Sequence, residues 1–252
     1  MSDNIQSRGS DDASFAQPLY TPIKRRSFFM YAGATAGASA LVLAGCSKDS
    51  DNATPSLPAG NSVTSSGAIS LGSGDVGVLN YAYALEQLEA DFYSKVAALP
   101  QGILTGTDYA YFQEVAKHEA IHRDFFKAAI TRDASSQVLR GLTPKYDADQ
   151  FLTKDKILKT AMAFEDLGVA AYNGAGKLLK TPAYLVIAGQ IVSVEARHAA
   201  YIRDLVAYGS FAADDQVDPA LGLDKAMTPA QVLTVAQGFI TEKLDGSSIG
   251  VN

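Results

Sequence analysis

The sequence predicts an all-α fold: four long helices in two antiparallel pairs, a long crossover between helices two and three, and a short C-terminal helix. Three observations carry this. From Asp75 onward apolar residues recur at steps of three and four, the period of an amphipathic helix. No alternating stretch is long enough to claim a strand. The connections are about eight residues, about two dozen residues and almost none, which makes two hairpins joined by one long link.

Each helix has its own start and stop signals. The first spans roughly 75–98, with Asp75 as N-cap and Pro100 beyond its end. The second covers roughly 107–131 and is entered at Thr107 and Asp108. The third runs roughly 153–180 with Thr153 as cap. The fourth begins at Thr181 and Pro182, a cap followed by proline at the first helical position, and ends near Gly209. Residues 227–240 repeat the Thr-Pro start and predict the short fifth helix. A loop of some two dozen residues inside a compact bundle needs a reason, and a connection along the bundle's length supplies it.

The N-terminus reads as an address. Residues 24–46, KRRSFFMYAGATAGASALVLAGC, place basic residues before an apolar run that ends in small ones. Arg25-Arg26 followed by Ser-Phe-Phe resembles a twin-arginine export signal, and Leu43-Ala44-Gly45-Cys46 resembles a lipobox. A transmembrane anchor and a chance apolar run are the other readings, but the run is rich in Gly and Ala and barely long enough to span a bilayer. Cys46 is the only cysteine, so internal disulfides are excluded and its sulfur is expected to carry a lipid. Ser47 in place of Asp after it disfavours inner-membrane retention. The expected organisation is an export signal over 1–46, a Ser- and Gly-rich tether over 47–74, a bundle over 75–210 and an extension over 211–252. The expected location is the bacterial envelope, on the periplasmic or outer-membrane face, with the membrane as partner.

Net charge is −6, and since residues 1–45 hold four basic and three acidic residues, the remainder carries −7. An acidic body without a basic stripe excludes nucleic acid as partner. There is no Walker loop, no Gly-x-Ser-x-Gly and no zinc-protease helix.

The chemistry lies where the core should be. The inward stripe of the second helix is Phe112, Val115, Glu119, His122, Phe126 and Ala129, and that of the fourth is Ile187, Ile191, Glu195, His198, Ile202 and Leu205. The third helix gives Leu158, Ala161, Glu165, Gly168, Tyr172 and Ala175, and the first gives Leu79, Ala82, Glu86, Glu89 and Tyr93. Every helix sends a carboxylate inward. The halves also repeat: ALEQLEADFY (84–93) aligns without gaps on AFEDLGVAAY (163–172), and HEAIHRDFF (118–126) on VEARHAAYI (194–202). Glu86 thereby pairs with Glu165, Tyr93 with Tyr172, Glu119 with Glu195 and His122 with His198.

Four carboxylates crowded in low dielectric cannot all stay ionised uncompensated. Two divalent cations balance them, with neutral imidazoles completing the set. One Glu from each of two helices and Glu-x-x-His from each of the others is the pattern of di-iron and di-manganese carboxylate bundles. The alternative is a buried polar network without metal.

On these motifs the chain resembles the ferritin-like superfamily, and more narrowly the exported ferritin-like domain proteins related to plant desiccation-related proteins. The resemblance covers roughly 75–210 and continues more loosely through the C-terminal Thr-Pro helix. It implies that Glu119 and Glu195 bridge two iron or manganese ions, that Glu86 and Glu165 are terminal ligands, and that His122 and His198 each cap one metal. Classical ferritins lack the second histidine, so the set looks closer to rubrerythrin, manganese catalase or oxidase types than to a storage shell. A tethered lipoprotein does not suit a closed shell either, though it is compatible with a homodimer.

Other residues have weaker claims. Glu89 reads as a seventh ligand or as a flank residue, and Tyr93 and Tyr172 as core tyrosines that either partner the site or carry an electron. His118 is expected to face solvent, and Asp91, Asp124, Asp166 and Asp204 are candidate acceptors for the ligand imidazoles. Two functions follow as expectations. One is a dimetal oxidoreductase acting on dioxygen or peroxide, whether catalase-like, peroxidase or ferroxidase. The other is a stress- or desiccation-associated bundle whose metal is structural or absent.

Overall fold

The computed structural model describes residues 62–251. The twin-arginine and lipobox motifs, Cys46 and the first part of the predicted tether lie outside the described residues.

Four long helices form as their patterns dictate: α1 (Gly74–Ala97), α2 (Gly106–Ala134), α3 (Lys154–Ala175) and α4 (Pro182–Val206). α1 packs along α2 and α3 along α4. The crossover between α2 and α3 opens with a 3₁₀ turn, Ser135–Gln137. The short helix α5 (Pro229–Ala236) starts with a capping box, in which Thr228 and Gln231 satisfy each other's backbone N–H groups. Among the described residues no helix is long and apolar enough to cross a membrane.

Three details differ from the sequence reading. α1 starts before Asp75, with Ser73 in the cap position. The Asp75 carboxylate instead accepts from the backbone N–H groups of Lys180 and Thr181, at 2.7 and 2.8 Å, and so serves the start of α4. α3 stops at Ala175 and passes through a 3₁₀ turn, Gly176–Leu178, so the predicted end near 180 is too late. The C-terminal extension lies against the last turns of α3, where its Met227 N–H donates to the Ala170 carbonyl at 2.9 Å. A side chain at Gly174 would collide with the Met227 carbonyl, so glycine there permits backbone to lie on backbone.

The third difference is at the chain ends. Residues 62–73, read as tether, carry the buried side chains Ile69 and Leu71. Two-residue strands β1 (Ile69–Ser70) and β2 (Leu244–Asp245) pair in parallel and join this segment to the extension. Strands of two residues carry no periodicity, which is why none is legible in the sequence. The extension also pairs with the crossover, where Lys145 N–H donates to the Phe239 carbonyl at 2.9 Å and Thr241 N–H to Thr143 at 3.0 Å.

The core is aromatic where these segments meet. Phe92 of α1 stands edge-on to Phe164 of α3 at 5.2 Å, and Phe164 edge-on to Phe239 of the extension at 4.8 Å. Asn80 of α1 is fully buried and binds three backbone groups: it donates to the carbonyls of Leu71 (3.0 Å) and Gln137 (2.8 Å) and accepts from Leu139 N–H (2.9 Å). Asn80→Leu leaves those groups unpaired in the interior and is expected to cost about 3 kcal/mol. Asn173→Ala, which removes an exposed bond to the Lys225 carbonyl, is expected to cost under about 1 kcal/mol. Urea midpoints at constant m-value measure both.

Candidate metal centre

Each helix delivers its acidic residue by the same local logic. In α2 the buried side chains are Phe112, Val115, Glu119, His122, Phe126, Ala129 and Ile130, so Glu119 and His122 stand on the apolar face that docks into the bundle. In α4 the buried positions include Ile191, Glu195, His198 and Ile202, while Ile187 and Leu205 are half-buried. Glu86 and Glu165 are fully buried on α1 and α3. A spacing of three keeps each Glu and His of a pair on one face.

The structure brings all six together. His122 Nδ1 lies 2.7 Å from Glu195 Oε1, 3.4 Å from Glu119 Oε2 and 3.7 Å from Glu86 Oε2. His198 Nδ1 lies 3.0 Å from Glu119 Oε1, 3.1 Å from Glu195 Oε2 and 3.5 Å from Glu165 Oε2. Two groups result: Glu86, Glu119, His122 and Glu195 in one, and Glu119, Glu165, Glu195 and His198 in the other. Within each, one ligand atom per residue lies within 4.8 Å of all the others. Glu119 and Glu195 belong to both, each turning one oxygen to either histidine.

Only one of these approaches is a hydrogen bond, that between His198 Nδ1 and Glu195 Oε2 at 3.1 Å. Glu86 Oε2, both oxygens of Glu119, Glu165 Oε2, Glu195 Oε1 and His122 Nδ1 are buried without a directed hydrogen bond. Each such atom costs about 1–3 kcal/mol, and more when charged. The other oxygens of Glu86 and Glu165 are satisfied from outside: Tyr172 OH donates to Glu86 Oε1 and Tyr93 OH to Glu165 Oε1. Buried atoms that converge with a single hydrogen bond among them, while the outer oxygens of Glu86 and Glu165 are held, fit a metal ion at their focus. The donor set of carboxylate oxygen and imidazole nitrogen is one that iron and manganese accept.

The electrostatics show how the metal-free cluster copes. Burial pulls the His122 imidazole down, but Glu119 and Glu195, then Glu86, outweigh it and raise the group to about 10. His198 is likewise depressed by burial, yet Glu119, Glu165 and Glu195 lift it to about 12. Burial would raise Glu119, and the two imidazoles beside it reverse the direction and hold it below the usual carboxylate range. Burial, then the charges of Glu195 and Glu119, pushes Glu86 well up. Glu165 is raised too, by burial above all, against the lowering effect of His198.

Three weaker expectations are resolved. His118 is exposed, as expected, and in addition places Nδ1 2.9 Å from His198 Nε2, with the rings parallel to within 9°. The available sequence signal was the repeat itself, which sets His118 opposite Val194. Asp91, Asp124, Asp166 and Asp204 do not contact the imidazoles: they engage Tyr146 and Lys95, Arg123, Arg203, and Gly209 N–H respectively. Glu89 is buried but stands outside both groups, with Oε1 3.1 Å from the place a Gly168 Cβ would occupy. Burial, then the charge of Glu165 ahead of the other carboxylates, raises it well above its ordinary range.

A pH dependence follows. His122, His198, Glu86 and Glu165 all hold protons more tightly in the metal-free fold than in water, and a metal must displace them. Metal affinity is therefore expected to rise with pH from neutrality through about 10, where His122 releases its proton unaided, and on toward about 12, where His198 does. Binding at pH 7 is expected to release about two to four protons per chain, read with a pH indicator in weak buffer. No release would mean that the imidazoles are already neutral.

None of the curated proteins compared matches this chain. The ferritin-like domain model matches residues 74–208, from the first residue of α1 to just past the end of α4. That span holds all six converging residues and covers more than half of the sequence, and the chain belongs to the ferritin-like domain family.

Proposed function

We propose that this chain is an exported, lipid-anchored envelope protein whose bundle holds two iron or manganese ions for redox chemistry on dioxygen or peroxide. The observation that supports it most is the set of buried ligand atoms, most of them without a hydrogen bond, arranged as two groups sharing Glu119 and Glu195. In this reading Glu119 and Glu195 would be shared by both ions, with Glu86 and His122 holding one and Glu165 and His198 the other. Bound there, the ion pair supplies electron exchange with the oxidant at fixed protein charge.

The chain's own part is holding and excluding. Tyr172 and Tyr93 lock the outer oxygens of Glu86 and Glu165, so each terminal carboxylate offers its other oxygen inward. Phe112 and Phe126, one before and one after the Glu119–His122 pair on α2, keep bulk water away. An apolar cavity of about 30 Å³, lined by Leu79, Ala82, Phe126, Ala175 and Tyr172 among others, adjoins the centre through Tyr172, which holds Glu86, and none of the six ligand residues lines it. Holding a water takes on the order of 10–15 Å³, so a diatomic fits, and the apolar lining suits dioxygen better than peroxide. Cys46, at the end of the lipobox-like stretch, is the proposed point of lipid attachment.

Metal analysis of the full chain in detergent, purified without added metal, is expected to give about two iron or manganese ions per chain. Glu119→Ala/Glu195→Ala is expected to lose them while keeping its helical circular dichroism. Consumption of dioxygen or peroxide should then scale with bound metal. Metal without turnover would move the protein to the non-enzymatic, stress-associated reading. Cys46→Ser is expected to shift the protein from the membrane to the soluble fraction of the envelope.

A further inference from the structure

The internal repeat gives both metal positions the same ligands, so differences between them come from what surrounds the ligands. Two departures from the repeat lie next to the centre. His118 stands where the other half has Val194, and Glu89 stands where the other half has Gly168.

Both departures serve the same position. His118 of α2 reaches across to α4 and meets His198 Nε2 at 2.9 Å. His198 Nδ1 faces the carboxylates, so a His198 bound through Nδ1 carries its proton on Nε2 and donates it to His118 Nδ1. An acceptor there fixes the tautomer and ring orientation and makes the imidazole a stronger ligand. Across the pseudo-twofold, Val194 offers His122 no acceptor.

Glu89 arises on α1, the helix of Glu86, but its carboxylate lies against α3 at Gly168, one turn beyond Glu165. Its Oε1 and Oε2 are 3.1 and 3.9 Å from a Cβ built on Gly168, a space that any side chain there would take. Glu89 stands outside the ligand groups, so it acts as a charge beside them. A neighbouring cation keeps such a carboxylate ionised, and the carboxylate in turn stabilises the cation.

We infer that the two metal positions are inequivalent: the Glu165–His198 position, served by His118 and Glu89, binds first and more tightly than the Glu86–His122 position. The inference rests on the dimetal reading above. His118 is a positioning residue acting through His198, and Glu89 supplies a fifth negative charge to one side of a centre otherwise balanced for two divalent ions. That position is also the one suited to the more highly charged ion when the two metals differ in oxidation state.

The test is an anaerobic titration of the metal-free full chain in detergent with Mn(II), following free Mn(II) by electron paramagnetic resonance and heat by calorimetry. Wild type is expected to fill in two steps at least tenfold apart in affinity. His198→Ala should abolish the tight step, and His122→Ala should leave it. Glu89→Gln and His118→Leu should each weaken the tight step by about 10–100-fold and spare the weak one. His118→Gln, which returns an acceptor oxygen, should recover most of the loss, a rescue that a packing role would not show. Far-ultraviolet circular dichroism checks that each variant is folded. Two equal steps in wild type, or a tight step that survives His198→Ala and disappears in His122→Ala, overturn this inference and leave the dimetal reading standing. A folded wild type that takes up no manganese or iron overturns both.

Discussion

The structure is organised around four carboxylates that have been taken out of water together. Two like charges about 4 Å apart interact unfavourably by about 4 kcal/mol even at an effective dielectric constant near 20. A bundle that buries four of them must supply opposite charge at the same place. In the metal-free fold this falls to protonated His122 and His198 and to the protons that Glu86 and Glu165 retain. Two divalent cations do the same work with every ligand atom used.

The twofold repeat is the geometric answer to that constraint. Tyr93 on α1 donates to Glu165 on α3, and Tyr172 on α3 donates to Glu86 on α1, so each half of the bundle holds the other half's terminal carboxylate. Glu119 and Glu195 divide their oxygens between the two histidines. Such reciprocity needs α1 and α3 in fixed register, and the long crossover supplies that freedom of placement. The crossover is then secured by Asn80, by the contact of Phe151 with Phe92, and by the C-terminal extension pairing with Thr143 and Lys145. The extension thus belongs to the same packed body as the four helices.

Departures from the repeat carry the individuality of the site. A symmetrical ligand set would give two identical metal positions. His118 and Glu89 break that symmetry without entering the ligand groups, and they do so on the same side. The apolar cavity lies away from them, lined in part by Tyr172, the residue that holds Glu86.

The fold class, the helix order and the six converging residues were legible in the sequence because helical period and internal repeat are local properties. A Glu and a His three apart on an apolar stripe must face the core whatever that core is. Ends and cross-contacts were not legible. Asp75 looks like a cap for its own helix, and only the approach of residues 180 and 181 shows that it serves another. Nothing local shows that Met227, more than fifty residues later, donates to the Ala170 carbonyl of α3. His118 looks solvent-facing on its own helix, and its partner lies eighty residues away. These are outcomes of which helix packs beside which, and that choice is made by the whole bundle burying its charges at once.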